Sequence, residues 1–177
     1  MKKTQLLTLS AMFLALGLVL PFLTGQIPQF GSMLLPMHLP VLLCGFVCGW
    51  PYGLAVGFVT PLLRSVLFGM PPMMPTALAM AFELAAYGAF AGLLYARLPR
   101  KDSSVYVALI GAMLLGRVVW GLVSWALYAL FTAKTFTLAI FWTGAFVNAW
   151  PGIVLQLVAV PLIVFALKRT KVLAQAA

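Results

Sequence analysis

Charged side chains are almost absent from the interior of this sequence, and the stretches they leave are long. Apolar runs occupy 5–23, 34–49, 52–68, 75–96, 105–131 and 138–167, and Gly, Pro or a short polar segment separates each from the next. A membrane-crossing helix needs about 20 consecutive apolar residues. Runs of this length and number cannot be folded behind one water-facing surface. Only 7% of the 177 residues are charged and 64% are hydrophobic, whereas a soluble domain carries about 25% charge. The expectation is an all-α integral membrane protein, a compact six-transmembrane-helix bundle forming a single domain over 1–177. Intrinsic disorder, a secreted disulfide scaffold and a large soluble enzyme domain are excluded.

The breaks between runs have loop chemistry. TGQIPQFGS (24–32) combines Gly, Pro and two glutamines, and GMPPMM (69–74) cannot continue a regular helix. Trp50-Pro51 reads as a tight turn, RLPRKDSS (97–104) as the one clearly charged connection, and 133–137 as a brief loop. The run at 5–23 follows Met1-Lys2-Lys3, as a signal peptide would. It is longer than a signal h-region and no small-x-small site closes it, so it is read as the first span. The fifth and sixth runs are long enough to tilt or protrude.

The chain holds 11 Lys and Arg against two acids, a net charge of +9. In a membrane protein such an excess orients helices and says little about nucleic acid. With six spans, Lys2, Lys3, Arg97, Arg100, Lys101, Lys168, Arg169 and Lys171 fall on one side and Lys134 alone on the other. The positive-inside rule then makes both termini cytoplasmic.

Small residues recur at helical spacing. Gly45, Gly49, Gly53 and Gly57 run through spans two and three, with Pro51 dividing the ladder between them, and Ala77, Ala81, Ala85 and Ala89 repeat the device in span four. Such faces let backbones approach where lipid supplies no hydrophobic drive between helices, and packing within the chain is the expected use. On span one, Ala11 and Ala15, with Ser10 and Gly17 nearby, suit either internal packing or docking to another membrane subunit.

Ionisable groups at membrane depth are costly and face a cavity or a partner. Here they are Arg64 in span three, Glu83 in span four and Arg117 in span five, with His38 at the start of span two and Asn148 and Gln156 in span six. Glu83 can pair with either arginine. The other guanidinium is then available to an anionic or acceptor-rich ligand through its planar donor fork. Between two prolines, His38 suits an internal hydrogen bond or a ligand. Trp120, Trp125, Trp142 and Tyr128 are interfacial anchors or pocket walls, with Trp120, near Arg117, the better pocket candidate and Trp142 the better anchor. Cys44 and Cys48 stack on one helix face as packing groups; they are poorly placed for a disulfide and lack companions for a metal site. No carboxylate pair, zinc motif, Ser-His-Asp set or phosphate-binding Gly-rich loop is present, so neither an enzyme nor a cofactor is expected and any active transport must draw its energy from another subunit. A self-associating membrane assembly or channel subunit is the competing expectation.

Two segments carry a family resemblance: Ala11-Met-Phe-Leu-Ala15 in span one, and MHLPVLLCGFVCGWPYGLAVGFVTPLLRS, from Met37 to Ser65. With the length and the six-span pattern, they make the chain resemble the substrate-binding S components of energy-coupling factor transporters, which take up vitamins and related micronutrients. The resemblance implies an outward-facing pocket capped by the loops at 24–33, 69–74 and 132–137. It implies that the Ala11/Ala15 face contacts a membrane-embedded T component coupled to two ATPase subunits, and that the subunit topples in the membrane to deliver its substrate. His38, Arg64, Glu83, Arg117, Trp120 and Asn148 are the residues expected to contribute to substrate binding. A carboxylate-bearing vitamin such as pantothenate would use Arg64 or Arg117; a queuosine precursor would offer an amino-amidine edge to Glu83 and a flat ring to Trp120; a vitamin B6-like ring or a pyrimidine is also open.

Overall fold

The computed structural model describes residues 2–24, 33–99, 101–131 and 135–169. Their regular structure is entirely helical. Seven α-helices are present among them: α1 (Lys3–Val19), α2 (His38–Cys48), α3 (Trp50–Phe68), α4 (Leu78–Arg97), α5 (Asp102–Phe131), α6 (Leu138–Trp142) and α7 (Trp150–Arg169). Five stretches are long and apolar enough to cross a membrane: Lys3–Leu23, Trp50–Phe68, Met73–Arg97, Asp102–Phe131 and Trp150–Arg169. Large apolar side chains such as Leu16, Leu114, Leu122, Val158 and Leu162 point outward, as a surface facing hydrocarbon requires.

Two of the six expected spans are interrupted, and local chemistry explains both. The regular helix of the second is only the 11 residues His38–Cys48. Pro36 disfavours helical geometry at the residue before it, and Leu35 there has a positive φ of 50°. At the other end Gly49 adopts φ 90°, so the chain turns at this glycine and Trp50-Pro51 opens the next helix. The sixth run divides into α6, a π-helical turn at Thr143–Val147, and α7. Pro151 has no N–H with which to carry a helix through from Val147, and the helix restarts around it.

α4 is the centre of the bundle, packed most extensively on α3 and α5 and then on α2. Bare backbone makes this possible. A Cβ on Gly53 would lie 2.6 Å from the Gly88 carbonyl oxygen, one on Gly57 would overlap the Leu84 carbonyl, and one on Gly45 would again meet Gly88. Gly45, Gly53 and Gly57 are therefore spent inside the chain, the first two on Gly88 and the third on the Leu84 turn of α4, and are not free for self-association. α2 lies in the middle: every residue from Pro40 to Cys48 is buried. Cys44 and Cys48 are both free thiols within it.

The same contacts fix helix direction. Gly17 abuts Thr60 and the Leu18 carbonyl accepts from Arg64, so α1 and α3 end together. Their starts lie beside the end of α4, where Gly92 meets Trp50, and Lys168 at the end of α7 reaches Asp102 at the start of α5, 3.1 Å away. Lys2, Lys3, Arg97, Lys101, Lys168 and Arg169 thus share one end of the bundle.

Candidate functional site

The opposite end carries a cleft of about 460 Å³, within the range of small-molecule sites. Its walls are Pro75, Thr76 and Ala79 leading into α4; Trp120, Ser124 and Tyr128 on the second half of α5; Phe136; and Ala139, Ile140, Thr143, Gly144 and Asn148 around the break between α6 and α7. That break gives the cleft its shape. Gly144 brings the backbone so close to Trp120 that a Cβ would lie 2.9 Å from the indole. The indole lies near-parallel to Phe141 at 6.0 Å and edge-on to Phe136 at 5.8 Å. Rings held from several sides present fixed π faces, while Thr76, Ser124, Thr143 and Asn148 supply a few polar groups among apolar walls.

Beyond the cleft lies a buried polar cluster. Arg117 Nη1 donates to Glu83 Oε1 at 2.8 Å, and His38 Nε2 stands 3.4 Å from the same oxygen. The His38 ring meets Tyr87 edge-to-face at 5.0 Å, and Gly116 makes room for the Tyr87 ring, which a Cβ there would strike. Glu83 and Arg117 are 2% and 5% exposed; each charge so deep is tolerable because it has the other. Glu83 follows Ala79 by one turn of α4, and Arg117 precedes Trp120 and Ser124 by one and two turns of α5, so the ion pair is adjacent to the cleft on both helices.

Of the residues expected to bind substrate, His38, Glu83 and Arg117 come together in this cluster, and Trp120 and Asn148 line the cleft. Arg64 stands apart. It donates to the Leu18 carbonyl oxygen at 2.5 Å, and its guanidinium lies 5.0 Å from the Phe22 ring and 5.3 Å from the Phe68 ring. Neither of the chain's two acids bonds it. Trp125 and Trp142 are exposed on the outside of the bundle. The loop at 24–33 and part of 132–137 lie largely outside the described residues, whereas 69–74 runs into the turn Met73–Ala77, where Met74 is extended (φ −117°, ψ 134°). Sequence reading missed Thr76, Ser124, Phe136 and Thr143 as walls. Ser124 had a signal, one turn beyond Trp120 on the same helix face, whereas Thr76 belongs to the irregular turn before α4 and Phe136 and Thr143 to the start and the break of the sixth run.

A family model described as ECF transporter, substrate-specific component, matches residues 5–164. The chain belongs to that family. Neither a curated protein nor a solved structure matches it. As an ECF transporter substrate-specific component it is a multi-pass membrane subunit for substrate-specific uptake. Such components are transport subunits and not enzymes, and the family implies a small-molecule substrate, a T component and ATPase partners.

Proposed function

We propose that the chain binds a vitamin or related micronutrient in the cleft lined by Trp120 and Asn148, with His38, Glu83 and Arg117 forming its polar end, and delivers it inward with a T component and an ATPase pair. The observation that carries this reading is the aromatic cleft lying one helical turn along both α4 and α5 from the buried Glu83–Arg117 pair. Apolar walls with a few convergent polar groups are what a small, partly flat ligand requires. Arg64 joins two helix ends and takes no part in the pocket.

The remaining topology follows from charge. The basic end of the bundle is the cytoplasmic end by the positive-inside rule, which turns the cleft outward and leaves both termini inside. Six spans result when the segment at 34–49, with its short helix α2, is counted as a crossing. Ala11 and Ala15 are exposed on α1, while Ser10, Phe13 and Gly17 face inward. This outward small-residue face supports the docking role over internal packing, and the T component is its proposed partner.

Equilibrium binding of a micronutrient panel to the purified protein, with co-purification of T and ATPase subunits, tests the reading. Saturable binding that Trp120→Ala weakens is the expected result. A stable homo-oligomer that binds nothing in the panel and captures neither partner would overturn it.

A further inference from the structure

The Glu83 bond uses only one corner of the Arg117 guanidinium. Nη1 carries it, while Nε and Nη2 are buried with no hydrogen-bond partner among the described residues. These two N–H groups sit side by side and form the fork that receives both oxygens of one carboxylate. Burying such donors unsatisfied is costly. An arginine this buried, with one corner pinned and the next edge bare, is arranged to meet acceptor atoms.

The Arg117 side chain extends toward the cleft end of the bundle, with the fork buried behind the cleft wall. A Cβ on Gly116 would strike the Tyr87 ring, so positions 116 and 87 stand opposite each other on α5 and α4. Glu83 lies one turn from Tyr87 in the direction of Ala79, a wall of the cleft. To bond Glu83, the Arg117 side chain must extend the same way, and the cleft residues on that side, Ala79 and Ser124, are small. Glu83 is meanwhile engaged by Arg117 and approached by His38. Its role is to hold the guanidinium in one attitude, which argues against direct recognition of an amine-edged ligand.

Resting on the reading that the cleft holds the substrate, we infer that the substrate is a carboxylic acid whose carboxylate lies on the Nε/Nη2 edge of Arg117, with the rest of the molecule against Trp120. Glu83 already offsets the arginine's charge, which favours a single carboxylate over a doubly charged phosphate ester. Arg117 acts as the specificity-determining contact, and Glu83 and His38 act as positioning residues.

The test is titration calorimetry on the wild-type protein in detergent, with matched pairs of water-soluble vitamins and precursors: nicotinate and nicotinamide, pantothenate and pantothenol, pyridoxate and pyridoxine. The acid of at least one pair should bind at least about tenfold more tightly than its neutral partner. In Arg117→Lys, which keeps the charge and loses the fork, that ratio should fall to about threefold or less. The wild-type ratio decides the matter even where the variant does not fold. Neutral members that bind as well as or better than their acids overturn the carboxylate and leave the cleft reading standing. Binding of no member of any pair, by protein that still melts cooperatively, overturns the inference, while the cleft reading is decided by the wider panel and by capture of the partners.

Discussion

Arg64 on α3 bonds the main-chain carbonyl of Leu18, 46 residues earlier in the chain, and so ties the end of α1 to the end of α3. Sequence makes this bond available. Leu20–Thr24 winds as a 3₁₀ turn, in which the Leu18 carbonyl would look to the N–H of residue 21, and Pro21 has none. The guanidinium takes that place and lies against both Phe22 and Phe68, whose rings meet each other edge-to-face.

Arg64→Met should therefore lower stability by about 1.5–3 kcal/mol, the usual worth of a hydrogen bond to a charged group. Ligand affinity should stay within about threefold, less than the tenfold that 1.4 kcal/mol represents. Thermal unfolding in detergent alongside ligand titration separates the two effects; a large loss of affinity at unchanged melting temperature would make Arg64 a binding residue after all.

Glu83→Gln removes the one acid within reach of Arg117 and leaves a buried cation without its counter-charge. A loss of about 3–5 kcal/mol is expected. Glu83→Gln combined with Arg117→Met should be more stable than Glu83→Gln alone, because the stranded charge is gone. A denaturation series on wild type, single and double variants checks the order.

Gly88→Ala places a methyl group where the Gly53 backbone already sits. Helix separation must increase along the whole α3–α4 contact, and a loss of at least about 1–3 kcal/mol follows. Ala96→Leu, on the exposed side of the same helix, is the control and should melt as wild type does.

Ala15→Leu adds bulk to an exposed face of α1. Melting temperature and ligand affinity should be unchanged, while co-purification of the T component falls sharply. Retained capture of the T component would move the docking face elsewhere on the bundle.

The sequence was legible where one side chain or one spacing carries the physics. Lipid-facing runs, the glycine ladder and the intramembrane ions all follow from burial costs that any helix must meet. It was less legible where two distant segments decide the outcome. Nothing in the spacing distinguishes Arg64 from Arg117 as the partner of Glu83; the choice depends on α4 and α5 being neighbours and on Pro21 freeing a carbonyl for Arg64. The cleft was hidden for a related reason. Its walls depend on a helix break between Trp142 and Trp150, within a run that hydropathy alone reads as continuous. The complement of the glycine ladder, Gly88 and Gly92, was overshadowed by the alanines around it.

α2 also constrains how the molecule holds together. A helix of 11 residues is shorter than the hydrocarbon layer of a bilayer is thick, and from Pro40 onward no residue of it is exposed. Alone it would cover only about half of that thickness. Its stable place is among α1, α3 and α4, which pack around it, so these four helices hold together as one unit and not as a row of independent crossings.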